Sequence, residues 1–135
     1  MTADAHTGTV LVVDDDECSR DLMARVVRRL GCRALHAPDG RAAQALLRSQ
    51  PVDAVVTDLT MPDCDGIELL LKIRAMSLQI PVIVTSGAEI APTSLPTARL
   101  LGAVTTLNKP FEIEQLTSAL RTALRPRSAG PTLCS

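Results

Sequence analysis

Thr9-Val10-Leu11-Val12-Val13, followed at once by Asp14-Asp15-Asp16-Glu17, is the stretch that decides the fold. Its apolar residues run without alternation. A strand half in water alternates apolar and polar side chains, whereas one covered on both faces is apolar throughout. Ala54-Val55-Val56-Thr57, ending at Asp58, has the same form, and so does Pro81-Val82-Ile83-Val84-Thr85. Two further stretches, Arg33-Ala34-Leu35-His36-Ala37 and Ala103-Val104-Thr105-Thr106-Leu107, mix polar residues in and read as edge strands.

Helical spacing fills the gaps. Leu22, Met23, Val26, Val27 and Leu30 form one apolar stripe, closed by Gly31. Asp39 caps a second helix that runs through Arg48. A third carries Leu69, Leu70, Ile73 and Met76 inward. A short fourth spans roughly Leu95 to Leu101, with Ser94 as its cap. The last buries Ile113, Leu116, Leu120, Ala123 and Leu124 before Pro126 stops it. Five strands alternating with five helices predict an α/β fold with a parallel sheet. Right-handed crossovers, with the mixed strands outermost, give the doubly wound order 2-1-3-4-5. That order reverses between strands 1 and 3, and ligands bind beyond the carboxyl ends of strands at such a switch.

The bulk numbers agree with one globular domain. The chain has 135 residues, within the usual domain size of roughly 100–150. The domain is expected over residues 9–125, between tails 1–8 and 126–135. With 46% hydrophobic and 21% charged residues, the chain is not disordered. A net charge of -1 argues against nucleic-acid binding by bulk electrostatics. No apolar run approaches the roughly 18 residues of a membrane span, and the opening residues do not form a secretory signal. Cys18, Cys32, Cys64 and Cys134 lack metal-ligand spacing, and His6 and His36 stand alone, so zinc is not expected. Reduced thiols fit a cytoplasmic protein. The chain carries twelve arginines but only two lysines, Lys72 and Lys109, so a lysine at a strand end is worth placing.

The strand ends converge on one chemistry. Strand 1 delivers Asp14 and Asp15, strand 3 Asp58, strand 4 Thr85 and Ser86, and strand 5 Lys109. Adjacent carboxylates repel and stay ionised beside a cation. Oxygen ligands with open positions suit Mg²⁺. A carboxylate beside Mg²⁺, a hydroxyl and an ammonium makes a phosphoryl acceptor, since three positive or donor groups meet the three equatorial oxygens.

Val12-Val13-Asp14-Asp15, Val56-Thr57-Asp58-Leu59-Thr60-Met61-Pro62, Asp65-Gly66, Val84-Thr85-Ser86-Gly87 and Asn108-Lys109-Pro110-Phe111 together resemble the receiver domain of two-component response regulators. The resemblance runs from about Thr9 to Leu124. It implies the flavodoxin-like receiver fold. It makes Asp58 the phosphoacceptor, with Thr85 the switch hydroxyl and Lys109 the phosphate-binding lysine. Asp15 would hold Mg²⁺ directly and Asp14 through water, completed by Asp58 and the Thr60 backbone carbonyl. The implied donor is a phosphohistidine on a histidine kinase or phosphotransfer protein. The only catalysis implied is the domain's own phosphorylation and dephosphorylation, with output through protein–protein contacts. A cis Lys109–Pro110 bond is also implied.

Two departures stand out. Thr106 occupies the position where the family carries Tyr or Phe, and Pro92 and Pro96 cut into the family's fourth helix. The expected switch is therefore a rearrangement of the Ser86–Pro96 segment, where Gly87 permits backbone change, and not a ring rotation. Asp16 and Glu17 read as a solvated helix start. Ser86 and Gly87 read as loop residues shaping access, and Cys64 as a small hydrophobe in the loop after Asp58. Arg99, Arg121 and Arg125 read as a solvated face. A haloacid-dehalogenase-like phosphatase would need an acid two residues after Asp58, where Thr60 stands. A pseudo-receiver would lack an acid or the lysine. After Leu124 eleven residues remain, too few for a helix-turn-helix output domain. The expectation is action through other proteins, with a phosphate sink or the amino-terminal piece of a longer regulator as alternatives.

Overall fold

The computed structural model describes residues 8–59, 66–76, 79–87, 96, 99–100 and 102–124. Five strands, β1 (Thr9–Val13), β2 (Arg33–Ala37), β3 (Ala54–Asp58), β4 (Val82–Ser86) and β5 (Ala103–Asn108), form one sheet in the order β2-β1-β3-β4-β5. Every neighbouring pair is parallel. Among the described residues four helices accompany them: α1 (Glu17–Arg29), α2 (Gly40–Ser49), α3 (Gly66–Ala75) and α4 (Ile113–Ala123).

The unbroken apolar strands lie where their composition requires. β3 and β4 are buried along their whole length, and β1 at all but its first residue. The mixed strands, β2 and β5, form the edges and are only partly covered. Side chains alternate across a strand, so β1 feeds two cores. Leu11 and Val13 pack on one face with Ala43 and Leu47 of α2 and Leu69, Leu70 and Ile73 of α3. Val10 and Val12 pack on the other with Met23, Val26 and Val27 of α1 and Leu116 and Leu120 of α4. Both cores are built from aliphatic side chains, with half-buried Phe111 at the margin of the second.

Helix ends follow local chemistry. The Asp16 carboxylate accepts from the Ser19 amide at 2.9 Å, and Asp39 accepts from Ala42 at 2.8 Å. Each such cap contributes about 1 kcal/mol. Gly31 leaves α1 at φ 88°, a left-handed turn that suits glycine.

The periodicity misplaced some residues. Leu22 is 40% exposed, because the buried stripe of α1 is Met23, Ala24, Val26 and Val27. Ile113 is 42% exposed: it opens α4, and Leu116, Ala119 and Leu120 carry the buried stripe from the next turn. β4 starts at Val82 and takes in Ser86, which is buried strand and not loop, because β5 extends to Asn108 and pairs with it. The expected segment from Ser86 to Pro96, the helix over Leu95 to Leu101, its Ser94 cap and Pro92 lie largely or wholly outside the described residues. Pro96, Arg99 and Leu100 are described and have helical backbone. Thr60, Asp65, Cys64, Arg125, Pro126, Cys134, His6 and the tails up to residue 7 and from residue 125 also lie outside them.

Candidate functional site

Four of the five strands, β1, β3, β4 and β5, leave chemically useful side chains at the sheet's carboxyl edge. β1 stops at Val13, and the next residue, Asp14, still donates its amide to the Ala37 carbonyl at 3.2 Å. This keeps Asp14 at the sheet end with no solvent exposure, while Asp15 turns outward and is exposed. Asp58 is the last residue of β3, 6% exposed, and stands in register with Thr85 of β4. The Leu59 amide donates to the Thr85 carbonyl at 2.9 Å, which ties the two strand ends together. Lys109 follows β5, and its bond to Pro110 is cis.

The Lys109 ammonium lies 2.7 Å from Asp14 Oδ2 and 3.5 Å from Asp58 Oδ2. Both carboxylates lie within salt-bridge reach, and the closer partner is Asp14. Partial burial pulls the Lys109 pKa down. The hydrogen bond and charge of Asp14, joined by those of Asp58, outweigh it and hold the ammonium above the ordinary lysine range. Asp14 is fully engaged: Oδ1 accepts from the Asp16 amide at 2.9 Å, and its carbonyl accepts from Arg20 Nη1 at 2.8 Å. Asp15 forms no hydrogen bond or ion pair among the described residues. Asp16 is the exposed cap expected, its pKa lowered by the Ser19 amide bond first.

Asp14, Asp15 and Asp58 each offer a carboxylate oxygen within 4.8 Å of the others. Three hard oxygen donors, one of them free, fit Mg²⁺. Thr85 adds a second sign of an incomplete site. It is wholly buried, and its hydroxyl has no hydrogen-bond partner among the described residues. Such an unpaired buried group costs about 1–3 kcal/mol, so it calls for a partner. An anion with several acceptor oxygens, lodged between Thr85 and Lys109, would give the hydroxyl an acceptor and meet the ammonium's charge.

Some side-chain contacts escaped the sequence reading. Ser86 is 1% exposed and its hydroxyl donates to Asn108 Oδ1 at 3.1 Å. Arg20, six residues after Asp14, reaches back to the strand end; only its place on the first turns of α1 could have suggested it. Arg99 is exposed, as expected of a solvated face, and also donates through Nη2 to Thr106 Oγ1 at 3.0 Å. Arg121 is exposed, as expected, and so is His36. Gly87 has open space where a Cβ would stand.

Among known proteins, the response regulator receiver domain matches residues 10–121. The transcriptional regulatory protein FixJ of Bradyrhizobium diazoefficiens is 34% identical over 125 residues, covering 93% of this chain and 59% of FixJ. The probable transcriptional regulatory protein TcrX of Mycobacterium tuberculosis is 32% identical over 123 residues, covering 91% of this chain and 52% of TcrX. The chain thus spans between half and three-fifths of the length of these curated relatives. The chemotaxis protein CheY4 of Vibrio cholerae superposes with a TM-score of 0.79 at 28% identity, over 87% of this chain and 98% of that one.

Proposed function

The chain belongs to the response regulator receiver family, and we propose that residues 9–125 act as a phosphoacceptor receiver with Asp58 as the accepting carboxylate. The observation that carries this reading is the pair of hydrogen-bond donors set on either side of Asp58. Lys109 brings a charged ammonium to 3.5 Å, and Thr85, its register partner, brings a buried hydroxyl without a partner. Neither is needed by the apolar cores, and both suit phosphoryl oxygens.

The reaction follows from the chain's own atoms. An Asp58 carboxylate oxygen forms the new O–P bond as the P–N bond of a phosphohistidine breaks, and that electron pair returns to the imidazole. Lys109 and Thr85 neutralise charge on the phosphoryl oxygens. The buried floor formed by Asp14 and Thr85 limits water near the acyl phosphate. Asp15 and Asp58 would hold Mg²⁺ directly, and Asp14 through water, because both Asp14 oxygens already serve Asp16 and Lys109. The Thr60 carbonyl would complete the protein ligands. When bound, the metal supplies positive charge against the phosphoryl oxygens and relieves repulsion among the three acids.

The partners proposed are a histidine kinase or phosphotransfer protein upstream and a protein target downstream, in the cytoplasm. No helix among the described residues is long and apolar enough to cross a membrane. Control of transcription is proposed only from the names of FixJ and TcrX, whose lengths exceed this chain's. Incubation with Mg²⁺ and a small phosphodonor, read by intact mass, tests the acceptor: the wild type should gain one phosphoryl group and Asp58→Asn none. Equal uptake by both would refute the assignment.

A further inference from the structure

Ser86 and Asn108 face each other at the last rung of the β4–β5 ladder. Ser86 is 1% exposed, and its hydroxyl donates to Asn108 Oδ1 at 3.1 Å. Asn108 itself is exposed, so its amide could turn to water; the Ser86 hydroxyl gives it a fixed partner. One residue on, the Lys109 amide donates to the Ser86 carbonyl at 2.7 Å. Residue 86 thus grips the end of β5 at two consecutive positions, first by its side chain and then by its main chain.

A parallel ladder closes on backbone bonds alone. The Ser86–Asn108 side-chain bond is an addition, placed directly before the site's lysine and directly after Thr85. Lysine is a point charge on a flexible four-carbon stem, so its reach depends on how firmly its backbone is anchored. The reach matters here because the ammonium lies 2.7 Å from Asp14 and 3.5 Å from Asp58. Coulomb attraction falls with distance, and a misplacement of about 1 Å in a reacting group costs as much as a hundredfold in rate.

We propose that Ser86 and Asn108 form a clamp that positions Lys109 between Asp14 and Asp58. This rests on the phosphoacceptor reading and adds two positioning residues to it, both acting through Lys109.

Two measurements on the full chain test it. The chain has only two lysines, and exposed Lys72 on α3 serves as an internal reference. In ¹⁵N-lysine-labelled protein, the Lys109 ammonium should give a protected signal. Ser86→Ala or Asn108→Ala should shift or broaden it and leave Lys72 unmoved. Phosphoryl uptake from a small phosphodonor at saturating Mg²⁺ should slow about three- to tenfold in each variant, the effect of one ordinary hydrogen bond. The double variant should be no slower than the slower single, because one interaction is lost in all three. The Mg²⁺ midpoint, read from melting temperature, should not move, which separates lysine placement from damage to the acid pocket. If Ser86→Ala fails to fold, the exposed position, Asn108→Ala, carries both measurements. An unchanged Lys109 signal, or a double variant slowed by the product of the singles, overturns the clamp. A wild type that takes up no phosphoryl group refutes the phosphoacceptor reading instead, and the ammonium signals still decide the clamp.

Discussion

The carboxyl end of the sheet and the outer face of β5 share strands but obey different constraints. At the sheet end, Asp14 and Thr85 are wholly buried and Asp58 nearly so, and Lys109 is held against two carboxylates. Three residues before Lys109, Thr106 is only half-buried, and nearby Val104 is 52% exposed. Buried charge and buried hydroxyl need partners of definite type and position, so few substitutions are tolerated there. The outer face meets water, where a polar residue can replace a ring without disturbing the core. The Arg99–Thr106 bond occupies this face in place of an aromatic side chain. The sheet end can therefore keep a fixed set of side chains while the outer face of β5 varies.

Removing Lys109 should separate the two regions most sharply. Removing one preorganised group that meets charge developing in the transition state costs about 10²–10³ in rate, so Lys109→Ala should slow phosphoryl uptake about a hundredfold in a discontinuous mass assay. Uptake within about threefold of wild type would mean that the sheet end is no more constrained than the outer face. The same variant should melt lower in Mg²⁺-free buffer at pH 7, because Asp14 and Asp58 lose their cation. Lys109 has a folded pKa above its ordinary value, so its contribution is fully present below the unfolded value of about 10.4 and is lost as pH rises through the folded one. The melting gap between the two proteins should stay level up to about pH 10 and narrow beyond it.

Magnesium should produce the next largest change. A ligand that binds only the native state at a hundredfold excess over its Kd adds about 2.7 kcal/mol, which corresponds to a rise of roughly 8 °C for a domain of this size. Asp15→Ala should abolish that rise in a melting titration. It should also raise the metal-free melting temperature slightly, since one repelling charge is gone. A metal response that survives Asp15→Ala would move the ligand set away from the acid cluster.

The outer face should respond least. Arg99→Ala and Thr106→Ala should each change stability by no more than about 0.5 kcal/mol and leave the uptake rate within about twofold. Hydrogen exchange with and without a phosphoryl mimic and Mg²⁺ should leave residues 104–107 nearly unaltered. A strong change centred on Thr106 would show that this position, even without a ring, reports the state of Asp58.

What was legible in the sequence divides along the same line. Unbroken apolar runs at Val10 to Val13, Ala54 to Val56 and Val82 to Val84 can be satisfied only by burial on both faces, so the central strands and their order could be read directly. Asp14, Asp58 and Thr85 could be read because each stands within two residues of the end of such a run, and Lys109 because it follows a strand in a chain with only two lysines. Side-chain bonds between separate elements could not. Nothing local to Ser86 says that it will meet Asn108, and Arg99 pairs with Thr106 across a helix–strand gap. Helix faces were read only to within a residue, because Leu22 and Ile113 sit at the margins of apolar stripes where periodicity alone does not define the boundary.

The most direct measurement is the location of the phosphoryl group itself. After incubation with Mg²⁺ and a small phosphodonor, borohydride reduction converts an aspartyl phosphate to homoserine, and peptide mass mapping finds the altered position. The expected result is conversion of Asp58 alone, with Asp14, Asp15 and Asp16 intact. Conversion at any of those three acids, or at none, would contradict the assignment of Asp58 as the acceptor.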